Sequence, residues 1–301
     1  MKDKRNFFRR LYEFQKERLQ LEVLIFTTSA VVLSSVAVSL PSGESMFSYL
    51  TEIIISFITL LLFMFHIRVL DEHKDYDFDS KYHKERPIQR GLISLKELLI
   101  LDVLGLITIF LLNAFFQIRA ILFLLIAFAY TLLAGNEFFM KKWIRKKFFL
   151  YNFLNLLQLL FLQFYLYSLI DPKFSFKEIL LTVHFIFVLF NVGLLEFARK
   201  LKIKSQESEA RDTYSSRLGM KKSVFIYTLI YLFVYGLFIY MIFNLNFSIY
   251  IFLTSLLFLN LIAISPIIYL SWNSQKSTLI LQGITALFYI SMHLLLVFTK
   301  L

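Results

Sequence analysis

Apolar residues in this chain come in nine runs of about 20, the length an α-helix needs to cross the hydrocarbon core of a bilayer. The pattern predicts spans over residues 21–40, 48–70, 97–117, 119–136, 148–170, 178–198, 221–243, 247–271 and 277–299. The narrowest division lies between the third and fourth, where only Gln117 to Arg119 interrupts the run. Asp171-Pro172 marks a turn after the fifth span, and Asn244 to Asn246 marks one after the seventh. The stretch before the first run, MKDKRNFFRRLYEFQKERLQ, has helical spacing instead. Phe7, Leu11 and Phe14 form one stripe; Phe8, Tyr12 and Leu19 form another. This predicts an amphipathic helix over residues 1–20, lying on the cytoplasmic membrane surface, ahead of a membrane domain over 21–301. The stretch is too long and too charged for the n-region of a signal peptide.

Composition agrees with a polytopic all-α membrane protein. Of the 301 residues, 58% are hydrophobic, and the mean hydropathy is +0.68. Cysteine is absent, which excludes disulfides, thiolate nucleophiles and Cys-based zinc sites. The net charge of +11 reads as topology rather than as a nucleic-acid surface. Across nine spans, 28 of the 32 Lys and Arg residues fall on one side; only Arg119, Lys173, Lys177 and Lys300 fall on the other. The positive-inside rule then places the N-terminus and the loops after spans two and six in the cytoplasm, and Leu301 outside. The expected location is the cell membrane.

The loop after span two is RVLDEHKDYDFDSKYHKERPIQRGLIS, Arg68 to Ser94. Asp71, Asp75 and Asp79 are spaced by four, and Glu72 reaches Asp75 and Asp79 at three and seven. If span two continues as helix, these acids share a face. Like charges at that spacing destabilise an exposed helix by about 0.2–0.5 kcal/mol per pair. In a partly dehydrated site the repulsion rises to roughly 4 kcal/mol for charges 4 Å apart. A bound cation would offset it. The donors are all oxygen, which suits Mg²⁺; a solvated charge run ending a membrane helix is the competing reading. On the repulsion argument, Asn at 75 or 79 should leave the fold intact. Arg86-Pro87 and Gly91 follow, with Pro and Gly shaping the return into span three and Arg86 and Arg90 offering charge to a phosphate.

Asp71-Glu72-x-x-Asp75-x-x-x-Asp79, followed by Arg86-Pro87 and Gly91, resembles the first motif of UbiA-type membrane prenyltransferases. The family motif is N-D-x-x-D-x-x-x-D, so Asp71 replaces Asn and Glu72 replaces Asp, both still able to ligate a cation. Nine helices with two cytoplasmic acidic loops also look like this family. The loop Glu196 to Gly219, EFARKLKIKSQESEARDTYSSRLG, is less faithful to its second motif. It offers Glu196, Glu207, Glu209 and Asp212, with Thr213 and Gly219 following. Glu196 ends an apolar helix, where an acid is expected to face a cavity. It is taken as one ligand and Asp212, ahead of Glu209, as another.

The resemblance implies nine helices around a central cavity and a reaction. An isoprenyl diphosphate donor binds through Mg²⁺, its allylic C–O bond ionises, and a hydrophobic or amphipathic acceptor attacks the cation. Asp75, Asp79 and Arg86 are the implied catalytic residues. Asp71, Glu72, Asp75, Asp79, Glu196 and Asp212 are the implied metal ligands. Arg68, Arg86, Arg90, Arg199, Lys200 and Glu209 are the implied substrate contacts. No nucleic-acid partner is implied. Two other outcomes compete: a terpene cyclase on the same fold, and a cation-coupled transporter. Transporter acids usually sit near the bilayer midplane on broken helices, whereas these sit at its edge. A CDP-alcohol phosphotransferase is excluded by the missing D-G-x-x-A-R pattern.

Polar residues inside the spans have blander readings. Asp102 either faces the active cavity or reaches the interface. Asn152, Asn155 and Gln158 are expected to bond between helices. His184 and His293 read as satisfied core histidines, and Glu52 as interfacial. The 36 Phe and 16 Tyr could line a dry cavity, but aromatics are ordinary membrane filler and none is assigned a role.

Overall fold

The computed structural model describes residues 5–41, 43–171 and 173–300. Lys2 and Lys4 of the basic N-terminal stretch, Pro172 of the expected turn and Leu301 lie outside the described residues. Among these residues there is helix and no strand. In chain order the α-helices are α1 Phe7–Arg18, α2 Leu21–Ser39, α3 Leu50–Lys74, α4 Tyr76–Tyr82, α5 Leu95–Phe116, α6 Ile121–Gly135 and α7 Lys141–Ile144. They continue as α8 Phe148–Ile170, α9 Ile179–Arg199, α10 Tyr214–Leu218, α11 Met220–Asn244, α12 Ile249–Trp272 and α13 Gln275–Val297. Nine stretches among the described residues are long and apolar enough to cross a membrane, and they correspond to the nine runs in the sequence. The weakest division holds: α5 ends at Phe116, Gln117 caps it, and a short 3-10 turn leads into α6.

The chain forms two compact units, one of residues 1–29 and 51–165, the other of 30–50 and 166–301. In the first unit, α1 is docked on its neighbours. Its first stripe faces inward: Phe14 is fully buried in a cluster with Val69, Ile88, Ile93 and Leu98, with Phe7 and Leu11 packed at its edge. Its second stripe stays outside, Phe8 and Tyr12 being exposed. Two stripes on a 12-residue helix therefore serve two environments, and residues 1–29 group with the first unit. Arg10 adds a bidentate ion pair with Glu97, at 2.8 and 3.2 Å, and bonds the Leu92 carbonyl.

The turn between α4 and α5 closes as its Pro and Gly suggest. Leu92 N–H donates to the Pro87 carbonyl and Gly91 N–H to that of Ile88, with Gly91 at φ +78°. This is the Schellman arrangement, in which a left-handed residue ends a helical turn without a Cβ penalty. Ser94 and Glu97 then form a reciprocal capping box that starts α5, satisfying two otherwise orphaned N–H groups.

Polar pairs inside the first unit join α3 to α5. Asp102 is buried against His66 Nδ1, at 2.9 Å. Deeper, Asn113 donates to Thr59 and accepts from the Tyr165 hydroxyl. Asn152 and Gln158 bond carbonyls of their own helix, while Asn155 accepts from Lys74 of α3. In the second unit, α12 packs on α13 and α9 on α11 and α13. Its core holds a buried chain of hydrogen bonds: the Tyr167 hydroxyl to His184 Nδ1 (2.7 Å), His184 Nε2 to Ser34 Oγ (3.3 Å), and Ser34 Oγ to His293 Nδ1 (2.7 Å). Both histidines are thus partnered in the core.

Nine crossings make a topological prediction. Asp77, Ser205 and Asn244 are exposed, and the chain has no native cysteine. In sealed vesicles, an impermeant thiol reagent should reach Asp77→Cys and Ser205→Cys from the same side and Asn244→Cys from the opposite side. Labelling of all three from one side contradicts the count.

Candidate active site

The first acidic loop is a helical ladder with a break in it. α3 ends at Lys74 and α4 begins at Tyr76. Asp75 stands between them at φ −98°, ψ 6°, in the sparsely populated bridge region. Two i→i−4 hydrogen bonds meet at the break, Asp75 N–H to the Asp71 carbonyl (2.9 Å) and Asp79 N–H to that of Asp75 (2.8 Å). The four-residue register of Asp71, Asp75 and Asp79 survives. Asp77, off this register, is exposed.

Each acid of the motif faces a cation. Asp71 is 2.7 Å from Lys74 Nζ. Glu72, fully buried, accepts from Arg18 Nε at 2.6 Å. Asp75 Oδ1 accepts from Arg145 at 3.2 Å. Asp79, also buried, lies 2.5 Å from Arg86 and 4.0 Å from Arg18. Mutual repulsion in the folded loop is therefore opposed by a counter-charge at each acid. The expectation that Asn at 79 leaves the fold intact is corrected accordingly: Asp79→Asn would strand the Arg86 charge, and breaking a buried pair at one end is destabilising. Asp75 is half-buried, and its carboxyl is pushed up to about 6, chiefly by desolvation, with Asp71 and Asp79 adding to the rise while Lys74 and Arg145 oppose it.

Two of these cations were not evident as site residues in the sequence. Arg18 belongs to α1, 54 residues before Glu72. Arg145 follows α7 and is placed by an unusual turn. Glu137, Phe138 and Phe139 have φ of +51°, +53° and +58°, a conformation that costs non-glycine residues roughly 1–3 kcal/mol each. Arg145 Nε donates to the buried Glu137 at 2.6 Å, while its Nη2 reaches Asp75 and the Lys74 carbonyl. Gly135 and Asn136 stand just before this turn, but its three positive-φ positions are themselves held by Glu and Phe. Of the other sequence candidates, Arg68 lies on α3 one turn before Asp71. Arg90 forms a bidentate pair with Glu17 of α1, at 2.6 and 2.9 Å, which holds the Glu17 carboxyl below its usual range.

The second acidic loop belongs to the other unit. Glu196, on the last turn of α9, is chelated by Arg199 (2.8 Å) and Lys200 (3.1 Å). Asp212 accepts from the Ser208 hydroxyl at 2.9 Å, and Glu209 is exposed. The loop is stitched shut by its backbone: Tyr214 N–H donates to the Lys200 carbonyl and Lys202 N–H to the Ser215 hydroxyl. The Tyr269 hydroxyl donates to the Lys202 carbonyl, and the rings of Phe197 and Tyr214 stack at 4.2 Å. Burial, with Arg199 nearby, pushes the Lys202 ammonium down. Thr213 caps α10, and Gly219, at φ +79°, joins it to α11, so both serve the backbone.

The donor chemistry of the first loop fits Mg²⁺. Among the described residues, no three Asp, Glu or His side chains converge as a ready-made cage. Mg²⁺ does not require one, since it commonly takes one or two carboxylates and completes its shell with water and phosphate oxygens. Glu72 Oε2 and Asp79 Oδ2 are buried without a hydrogen bond, and Asp79 Oδ1 meets Arg86 as an ion pair without hydrogen-bond geometry. Such acceptors are expensive to leave unsatisfied.

The UbiA prenyltransferase family model matches residues 23–295. The fold resembles the apo structure of a UbiA homologue from Aeropyrum pernix K1, with a TM-score of 0.63 and 14% identity over 91% of this chain and 97% of that one. It also resembles a structure of digeranylgeranylglyceryl phosphate synthase in membranes, with a TM-score of 0.54 and 16% identity over 97% and 99%. At these identities the likeness is one of fold. No curated protein matches the chain.

The Arg145 bridge generates a prediction. Arg145→Gln should destabilise the protein in detergent by about 1–3 kcal/mol, the usual penalty for a buried acceptor left unsatisfied. Combining it with Glu137→Gln should recover part of the loss, because the stranded charge is removed as well. Equal melting temperatures for wild type and Arg145→Gln would show that the bridge does not hold the turn.

Proposed function

The chain belongs to the UbiA prenyltransferase family, and on that premise we propose that it transfers an isoprenyl group from an isoprenyl diphosphate to a hydrophobic or amphipathic acceptor. The observation that carries this reading is the Asp71–Asp75–Asp79 register, kept through the break by backbone hydrogen bonds at the end of a membrane-spanning helix. Asp75 and Asp79, with Asp71 or Glu72, are the proposed Mg²⁺ ligands. Glu196 and Asp212 of the second loop are proposed to add oxygen donors. Bound Mg²⁺ supplies positive charge to the leaving diphosphate.

The chain's own cations share that task. Arg86, Arg68 and Arg90 near the first loop, and Arg199 and Lys200 in the second, are proposed to neutralise phosphate oxygens, and Glu209 to contact substrate. Charge develops on the diphosphate as the allylic C–O bond breaks and its electron pair departs, so fixed cations aimed there lower the barrier. The acceptor nucleophile then bonds to the allylic carbon and gives up a proton. Apolar walls at bilayer depth would keep water from quenching the cation first. The active site is proposed to face the cytoplasm, as the Lys and Arg distribution favours.

Asp75→Asn is the cleanest test, because Asp75 is only half-buried. Loss of even a few kcal/mol of leaving-group stabilisation lowers the rate roughly 10²-fold or more. Asp79→Asn should lose at least as much activity and some stability too. Asp77→Asn should stay near wild type. EDTA should abolish turnover and added Mg²⁺ restore it. Equal losses at Asp75 and Asp77, or full turnover in EDTA, would overturn the assignment.

A further inference from the structure

Glu72 and Asp79 stand on opposite sides of the break between α3 and α4. Two backbone hydrogen bonds meet at Asp75, one to each helix. A helix as short as α4, seven residues, has little stability of its own, so its direction relative to α3 needs a tertiary restraint. One side chain reaches acids on both sides. Arg18 Nε is 2.6 Å from Glu72 Oε1, and its Nη2 is 4.0 Å from Asp79 Oδ2. The two carboxylates are 0% and 1% exposed, and Arg18 itself 18%.

The guanidinium is itself anchored. Phe14, one helical turn before Arg18, is fully buried in the cluster with Val69, Ile88, Ile93 and Leu98. Arg10 holds Glu97 near the start of α1, and Glu17 holds Arg90 near its end. α1 is thus fastened at several points along its length. A planar, permanently charged fork held this way can fix two carboxylates at once, which a flexible ammonium does less well.

We propose that Arg18 is a positioning residue of the acidic loop. It bridges Glu72 and Asp79 across the break and so sets where Asp79 stands relative to Asp71 and Asp75. In this role Glu72 anchors Arg18, and Asp71 is left as the third oxygen donor of the register. The inference rests on the proposed reading of these acids as the Mg²⁺–diphosphate site. Mg²⁺ demands near-octahedral geometry at about 2.0–2.1 Å, so a loosened Asp79 should be felt first as weaker ion binding.

The test uses the full chain in detergent, with Mg²⁺ titrated against a fixed concentration of inorganic pyrophosphate and thermal unfolding as the readout. Ligands that bind only the folded chain raise its melting temperature. The Mg²⁺ concentration giving half of that rise should increase about tenfold or more in Arg18→Gln, as for other groups that orient metal ligands. Arg18→Lys keeps the charge and the fold, and should fall between wild type and Arg18→Gln. Because Arg18→Gln strands the buried Glu72, the double variant Arg18→Met/Glu72→Gln removes both charges. It should fold and still show the raised half-point, since Asp79 then keeps only Arg86 and has lost its link to Glu72 across the break. Arg9→Gln takes the same charge from an exposed position on α1 and should match wild type. A wild-type half-point in Arg18→Lys or in the double variant overturns the inference; if Asp75→Asn still abolishes the response, the site reading stands. No response to Mg²⁺ and pyrophosphate in the wild-type protein overturns both.

Discussion

Carboxylates withdrawn from water must find positive charge, and that constraint organises the first unit. Asp71, Glu72, Asp75 and Asp79 crowd the end of one membrane helix, and two of them are almost fully buried. The charged form of an isolated buried carboxylate is strongly disfavoured. The chain answers with Lys74 from α3, Arg18 from α1, Arg86 from the turn after α4 and Arg145 from beyond α7. Three of these four come from outside α3. The docking of α1 and the left-handed turn at Glu137 to Phe139 both deliver a guanidinium to the acidic loop.

The same pairing suits a site that waits for an anionic ligand. A loop neutralised by its own side chains can be stable before any ion or diphosphate arrives. Removing one member of a buried pair is costly because the other is stranded. Exchange among partners is different: on the proposed reading, Mg²⁺ would take over a carboxylate while the freed guanidinium met a phosphate. Charge is then conserved locally at each stage. In the second unit, Glu196 is likewise held by the two cations that follow it, Arg199 and Lys200, which the proposed function assigns to phosphate oxygens.

Most of the architecture was legible in the sequence because membrane burial writes long, unbroken apolar runs. The nine spans, the division at Gln117 and the return turn at Pro87 and Gly91 rest on local signals that the structure respects. The four-residue spacing of Asp71, Asp75 and Asp79 was legible because it is local, although the break at Asp75 was not. What stayed hidden was non-local. Nothing near Arg18 shows that it meets Glu72 and Asp79, and nothing near Arg145 shows that it returns to Asp75. Asp102 was ambiguous until His66, 36 residues away, appeared as its partner. Gly135-Asn136 signals a turn ahead of Glu137, but nothing in the composition shows that Glu137 to Phe139 themselves take positive φ. The two stripes of α1 were visible, but not that one of them packs against protein.

The central claim is that the acidic loop promotes departure of diphosphate from an allylic donor. It is tested most directly by incubating the purified protein with isoprenyl diphosphates of graded length, radiolabelled in the chain, together with a membrane extract. Released diphosphate and the labelled lipid products are then measured in the same reaction. The account predicts Mg²⁺-dependent release of diphosphate matched by transfer of label to an acceptor that mass spectrometry can identify. Failure of every donor to release diphosphate, with the protein folded and Mg²⁺ present, would contradict it.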